Sequence, residues 1–349
     1  MRINIKKSLI GLAAAASTIY AAEVGFSGYI LGGTGHAISS DGTVTHSTYH
    51  EIDLTTSAKF SEKVSVDVYT TMIDAGEDRW APVLFDGITL NYQIDLGTLM
   101  VGDLVYSNNS FGYYLLKRTS PVLNETFVRG VGLDAGGLSI YAGSLDADPS
   151  VTGAYLAYSI EGEGFSLKPY AALELGGEKA SDIPTTLGTD FSISAGSFSM
   201  NGAIGSIMAP DMDATTNILL EPSIDLGALN IVASLYYSVQ SDSIADRAGF
   251  SMNEDGEYES SLATTEEMFI YIEPGTALTD VVSIGLPLEY HSGDKDAEAA
   301  FVGAYPTVYF AVAEGASFLF WAGADQGIGD SNKDDDLGMY VGSEFTASF

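Results

Sequence analysis

The feature that most limits what this chain can fold into is a two-residue rhythm. Segments of about ten residues alternate apolar and polar side chains, and each is followed by a turn or a polar loop. In Leu229 to Val239 one face reads Leu229, Ile231, Ala233, Leu235, Tyr237 and Val239, and the other reads Asn230, Val232, Ser234, Tyr236 and Ser238. Strand side chains point alternately to opposite faces, so such a segment shows an apolar medium to one side and water to the other. The same arithmetic holds for Val64, Val66 and Val68 against Ser65, Asp67 and Tyr69. It holds for Leu84, Ile88, Leu90 and Tyr92 against Thr89, Asn91 and Gln93, and for Leu167, Ala171, Leu173 and Leu175 against Lys168, Tyr170 and Glu174. A helix would need apolar residues three and four apart, and these segments do not sustain that spacing.

Further alternating segments lie near 24–34, 46–60, 97–105, 110–118, 125–133, 137–144, 151–160, 190–200, 215–223, 267–273, 280–290, 301–312, 316–324 and 337–349, making 18 candidate strands with fragments among them. No fixed-period repeat supports a solenoid, and the chain is long for a single sandwich. The expected fold is all-β: one transmembrane antiparallel β-barrel. Even strand counts are the rule for single-chain bacterial barrels, so about 16 strands are expected, with 14 and 18 open.

Short separators such as Phe60–Lys63, Ile94–Gly97, Leu133–Gly136 and Ile160–Gly164 carry turn formers and read as tight periplasmic turns. The longer polar insertions 177–189, 240–266 and 325–336 would then lie on the extracellular side. Aromatic residues such as Tyr236/Tyr237, Phe310 and Phe320/Trp321 fall toward strand ends, where rings can rest at headgroup depth, although sheet propensity alone also places Tyr and Phe in strands.

At the N-terminus Arg2, Lys6 and Lys7 precede an uncharged run from Ser8 to Ala22. That run is shorter than the roughly 20 apolar residues of a membrane helix, and it reads as a signal peptide over 1–21 followed by one barrel domain over 22–349. Without the leader, 11 basic residues face 47 acidic ones, a net charge of 11 minus 47, or −36. Such a chain does not attract nucleic acid. Its 46% hydrophobic content, with 20 Tyr and 16 Phe, argues against disorder. Cysteine is absent, which removes thiol catalysis and thiolate metal sites.

The final segment alternates Leu337, Met339, Val341, Ser343, Phe345, Ala347 and Phe349 against Gly338, Tyr340, Gly342, Glu344, Thr346 and Ser348. With Phe345, the terminal Phe349, the leader and the strand-turn rhythm, the chain resembles Gram-negative outer-membrane barrels, and in size it looks most like general porins. The resemblance implies residence in the outer membrane, contact with its lipids and lipopolysaccharide, and reading of Phe345 and Phe349 by the barrel assembly machinery. It matches no specific porin family. A constriction-loop motif and an arginine ladder are not found, which argues against anion selectivity. Assembly as a homotrimer would need a flattened apolar wall that alternation cannot distinguish from lipid-facing surface.

For chemistry, His46 and His50 with Glu51 invite a metal reading, but on a strand positions four apart are about 13 Å apart, too far to share an ion whose nitrogen ligands sit near 2 Å. The hydrolase barrels of this class leave no short motif here, and GxSxG is absent. The expectation is a non-enzyme without a bound cofactor, with a hydrolase barrel still open. Asp330, Asn332, Asp334 and Asp336 alternate oxygen ligands suited to weak Ca²⁺ binding, but Asp335 and Val341 stand where an EF-hand needs Gly and Glu. A solvated loop accounts for them as well.

The function expected is passive diffusion of small hydrophilic solutes with cations preferred, Asp67, Glu174, Glu289 and Glu344 being the candidate lumen carboxylates. The competing class is a surface structural or adhesion barrel with acidic loops and a closed lumen. Deleting Phe349 should slow insertion without abolishing export. The check is surface level and heat-modifiable gel migration in a strain expressing only the shortened chain, and normal values of both would contradict the expectation.

Overall fold

The computed structural model describes residues 23–39, 41–73, 83–107, 125–145, 151–176, 185–208, 214–239, 250–252, 258–260, 266–292, 300–328 and 337–349. The expected signal peptide over 1–21, the candidate strand 110–118 and the quartet Asp330, Asn332, Asp334 and Asp336 lie outside the described residues.

The strands are β1 (Glu23–Ile38), β2 (Val44–Lys59), β3 (Val64–Ile73), β4 (Val83–Ile94), β5 (Gly97–Ser107), β6 (Glu125–Ala135), β7 (Leu138–Leu145), β8 (Val151–Tyr158), β9 (Ile160–Gly162), β10 (Phe165–Gly176), β11 (Thr185–Ala195) and β12 (Phe198–Met208). They continue with β13 (Thr215–Asp225), β14 (Asn230–Val239), β15 (Phe250–Met252), β16 (Tyr258–Ser260), β17 (Glu266–Ala277), β18 (Val282–Gly285), β19 (Leu288–Ser292), β20 (Ala300–Ala304), β21 (Thr307–Ala313), β22 (Ala316–Ile328) and β23 (Gly338–Ser348). β15 and β16 form a separate two-stranded sheet, and the other segments join one 21-stranded antiparallel sheet.

Three pairs of those segments are halves of single strands. β8 and β9 both pair with β10, β18 and β19 with β17, and β20 and β21 with β22. The described barrel therefore has eighteen strands. Two of the interruptions fall at Pro287 and Pro306, which lack the N–H a ladder needs. Their carbonyls still accept: Tyr305 N–H donates to Pro287 O at 2.9 Å and Ala322 N–H to Pro306 O at 3.2 Å, so the wall continues across both.

Eighteen is one of the counts left open beside about 16, and one candidate segment proves to be two strands. Segment 190–200, read as one strand, is the end of β11, a turn at Gly196 and the start of β12, with Ala195 opposite Phe198. Gly196 has φ 62°, the left-handed backbone that only glycine adopts readily. Because a two-residue turn shifts parity, the apolar residues move from odd positions (Phe191, Ile193) to even ones (Phe198, Met200) across it.

The sheet closes on itself. β1 pairs with β23 from Tyr29↔Ser348 to Ile38↔Met339, and beyond that register Gly28 and Phe349 exchange two backbone hydrogen bonds of 3.1 Å. A closed sheet has no open edge, the condition for a sheet to stand in lipid. Both described ends of the chain meet at one rim, together with the short turns at 60–63, 95–96, 136–137, 163–164 and 196–197. The first turn on the opposite rim is pinned by Asp41, whose carboxylate accepts from Ser39 Oγ at 2.5 Å and Thr43 N–H at 2.8 Å. Those bonds, the Ser39 hydroxyl first, hold its pKa down to about 2.

Register divides the wall into two faces. Ile88 is 45% exposed, Val131 54%, Leu156 50% and Phe320 51%, and they form an uncovered apolar exterior. Thr89 at 4% and Tyr155 at 2% lie on the inner face. Trp321 departs from the headgroup-belt expectation: it lies in the inward register with its ring against Gly342, while Phe320 faces out.

The seam can be tested because the chain has no cysteine. Thr34 Oγ1 and Ser343 Oγ are 3.5 Å apart across β1 and β23. A Thr34→Cys/Ser343→Cys double variant should form a disulfide on oxidation, seen as faster migration of the heat-denatured chain that reductant reverses. A seam shifted by two residues would not link.

Candidate functional site: the lumen wall

Charge is sorted by register, apart from the ion pair of Asp103 and Arg129, which shares the outward register of Val101 and Val131. In the described strands Glu51, Asp53, Asp67, Asp134, Glu174, Asp190, Glu221, Glu273, Glu289, Asp325 and Glu344 all occupy the inward face. Desolvation explains the sorting: even a Lys or Arg at the lipid midplane costs roughly 2–4 kcal/mol, so charge collects where water is. The described basic residues are Lys59 and Lys63 at the turn rim, Arg129 bound to Asp103 at 2.6 Å, and Lys168 opposite Asp190 on the inner face.

Tyrosine hydroxyls hold many of these carboxylates. Tyr29 donates to Glu51 at 2.5 Å, and Tyr49 donates to Glu344. Tyr271 and Tyr309 donate to the two oxygens of Glu273, the latter at 2.6 Å. Tyr305 and Tyr340 reach Asp325 at 3.4 and 3.3 Å. A hydroxyl donor keeps an ionised carboxylate satisfied and fixes its direction without adding positive charge. Asp67 is fixed in another way, accepting from Ser57 Oγ and Asn91 Nδ2, both at 2.6 Å.

Glycines let the rings lie flat. Tyr49, Gly33 and Glu344 are in register on three successive strands, and Gly33 leaves the space through which the tyrosine crosses β1. A Cβ at Gly33 would stand 2.6 Å from the Tyr49 ring. Tyr305 lies in the same way against Gly323.

The inner wall is not uniform. From β5 to β10 it is packed: Leu104, Val128, Leu145, Tyr155 and Tyr170 are buried together. Tyr141, Tyr155 and Tyr170 stack with centroids 5.7 and 6.2 Å apart. A second buried patch on β12–β17 joins Ala203, Leu219, Tyr236, Phe269 and Tyr271. The tyrosine-supported carboxylates concentrate on the remaining arc, from β17 through β23 and β1 to β3. Tyr155 and Tyr170, at 2% and 5% exposure, are thus structural and do not offer faces to a solute, while Tyr141 is only partly buried.

Among the four expected lumen carboxylates, Asp67, Glu289 and Glu344 share this acidic arc. Glu174 stands on β10, about half-way round the barrel from β23, inward and exposed opposite Gly153. On this arc sequence reasoning missed Glu51, Asp53, Glu273 and Asp325, and elsewhere on the inner face Asp134, Asp190 and Glu221. Glu273 had a signal, since Tyr271 and Glu273 alternate with Ile270 and Ile272. Asp325 was assigned to a loop, although β22 extends to Ile328.

A closed antiparallel barrel with an apolar exterior and an ionised interior is the porin-like outer-membrane architecture, and the chain has that fold. Among solved structures it is similar to OccAB3 of Acinetobacter baumannii (TM-score 0.57, 12% identity, covering 94% of this chain and 100% of the other). It is similar to the anion-selective porin of Comamonas acidovorans (0.55, 10%, 94% and 100%). It also resembles the trimer form of OmpT, an outer-membrane protein of Vibrio cholerae (0.51, 11%, 94% and 100%). No protein-family model and no curated protein sequence matches the chain.

Gly33→Val should drive the Tyr49 ring off Glu344 and lower the midpoint of the heat-modifiable gel transition by several degrees. Gly25→Val, at an inward glycine with nothing within 4 Å of an added Cβ, should leave it unchanged. Equal midpoints for the two variants would contradict the packing.

Proposed function

We propose that the chain is a passive, cation-preferring diffusion channel for small hydrophilic solutes in the outer membrane of a Gram-negative bacterium. The observation that carries this reading is the acidic arc: carboxylates held by neutral tyrosine hydroxyls, so that their negative field is not cancelled by neighbouring cations. Such a wall lowers the entry barrier for cations and raises it for anions. The similar barrel from Comamonas acidovorans is anion-selective. Selectivity therefore has to come from the lining residues, and here the described lining favours cations. On this reading lipids and lipopolysaccharide surround the exterior, the assembly machinery inserts the chain, and the trimer form of OmpT supports a homotrimer. No step is catalytic.

The two buried inner patches favour the second reading, a surface structural or adhesion barrel with an occluded lumen. Conductance separates the two. Planar-bilayer recording of the purified protein across a KCl gradient should show open channels with a reversal potential on the K⁺ side. Glu344→Gln and Glu174→Gln should each reduce the K⁺/Cl⁻ ratio, most at low ionic strength where screening is weakest. Absence of conductance would favour the occluded barrel, and an anion-preferring wild type would overturn the selectivity.

A further inference from the structure

The lumen reading leaves unused a histidine pair on the other side of the wall. β1 and β2 pair without interruption from Glu23↔Lys59 to Ile38↔Val44, which sets His36 directly opposite His46. Both share the register of Ile30 and Ile52, so they lie on the outer face, away from Tyr29 and Glu51. Their rings meet edge to face with centroids 4.6 Å apart, and the two Nδ1 atoms are 2.5 Å apart.

Their height places them in water. A strand rising about 3.3 Å per residue at a tilt of about 45° climbs roughly 2.3 Å per residue along the barrel axis, so the stretch from Phe26 to His36 covers about the 25 Å of an outer-membrane apolar band. The pair stands at the outer rim of that band. Its neighbours on the same face are Thr34, Thr48 and Val341, while Glu51 and Glu344 occupy the opposite register. The turn beyond it is held by Ser39 N–H to Thr43 O at 3.0 Å and Gly42 N–H to Ser39 O at 2.9 Å.

A hydrogen bond between two imidazole nitrogens uses one lone pair, whereas a borderline metal ion uses both. Zn²⁺ binds imidazole nitrogen at about 2.0–2.1 Å, which at a tetrahedral angle sets the two nitrogens roughly 3.3 Å apart. Opening the pair by under about 1 Å, a small rotation of exposed rings, supplies that geometry. We propose that His36 and His46 form a two-imidazole site for Zn²⁺ at the extracellular end of the first hairpin, with water completing the shell. His50 is on the same face but about 13 Å along the strand from His46, too distant to be a third ligand. The site is independent of the channel reading, since it lies on the opposite face of the wall.

The test is titration of the tag-free full chain, refolded in detergent, with Zn²⁺ in competition with a chromogenic chelator. Saturable one-to-one binding below millimolar Zn²⁺ is expected. His36→Gln and His46→Gln should each lose at least about tenfold in affinity, with His50→Gln unchanged and heat-modifiable migration normal in all three. In the wild-type chain, Zn²⁺ should protect His36 and His46 from diethyl pyrocarbonate and leave the reactivity of His50 at its metal-free level, a readout that requires no variant to fold. Absence of saturable binding, retained affinity in a His36→Gln/His46→Gln double variant, or equal protection of His50 would overturn the site.

Discussion

Everything in this molecule depends on the pairing of β1 with β23. In a hydrocarbon medium each unpaired backbone N–H or C=O costs several kcal/mol, and a sheet with two free edges would present a row of them. The register from Tyr29↔Ser348 to Ile38↔Met339, ended by the reciprocal bonds of Gly28 and Phe349, removes both edges at once. The sorting of side chains is fixed only after that closure, because inner and outer faces exist only for a closed wall. Pro287 and Pro306, at two strand interruptions, are tolerated on the same ground: each forfeits a donor, but its carbonyl keeps a partner on the next strand.

Once the faces exist, the interior is built from a few repeated contacts. A tyrosine or tryptophan lies across a neighbouring glycine, and a tyrosine hydroxyl then reaches a carboxylate one or two strands away. The ring saves lumen width by lying flat, and the hydroxyl satisfies the acid without neutralising it. The acidic arc and the packed arcs are therefore different solutions for the same inner face. In one, polar atoms are paired and left in contact with water; in the other, aromatic and aliphatic side chains bury one another.

Most of the architecture was legible in the alternation, because a strand between lipid and water repeats the same choice at every second residue. Leu229 to Val239 and Val64 to Tyr69 show it plainly. What was not legible was whatever alternation leaves constant. At 190–200 the rhythm runs through a hairpin, and only the change of parity at Gly196 marks it. The inward orientation of Asp67, Glu289 and Glu344 could be inferred from flanking apolar residues. The tyrosine partner of Glu344 could not, since Tyr49 and Glu344 are brought together only by closure across Gly33. The histidines show the same limit. Spacing along the chain suggested His46 with His50, whereas the register pairs His46 with His36.

The seam has one more consequence, for the order of events in folding. Thr34 and Ser343 are neighbours in space but 309 positions apart in sequence, while the other strand pairs in the described wall are joined by turns or by loops between consecutive strands. Local hairpins repay their loop-closure entropy almost at once, and the first-to-last contact repays it only after the whole chain is present. Until the last strand arrives, the partly built wall carries two live edges capable of pairing with any passing strand. The slow, vulnerable interval of this protein's life is therefore the one just before its ends meet, and the residues that shorten it are those of β1 and β23.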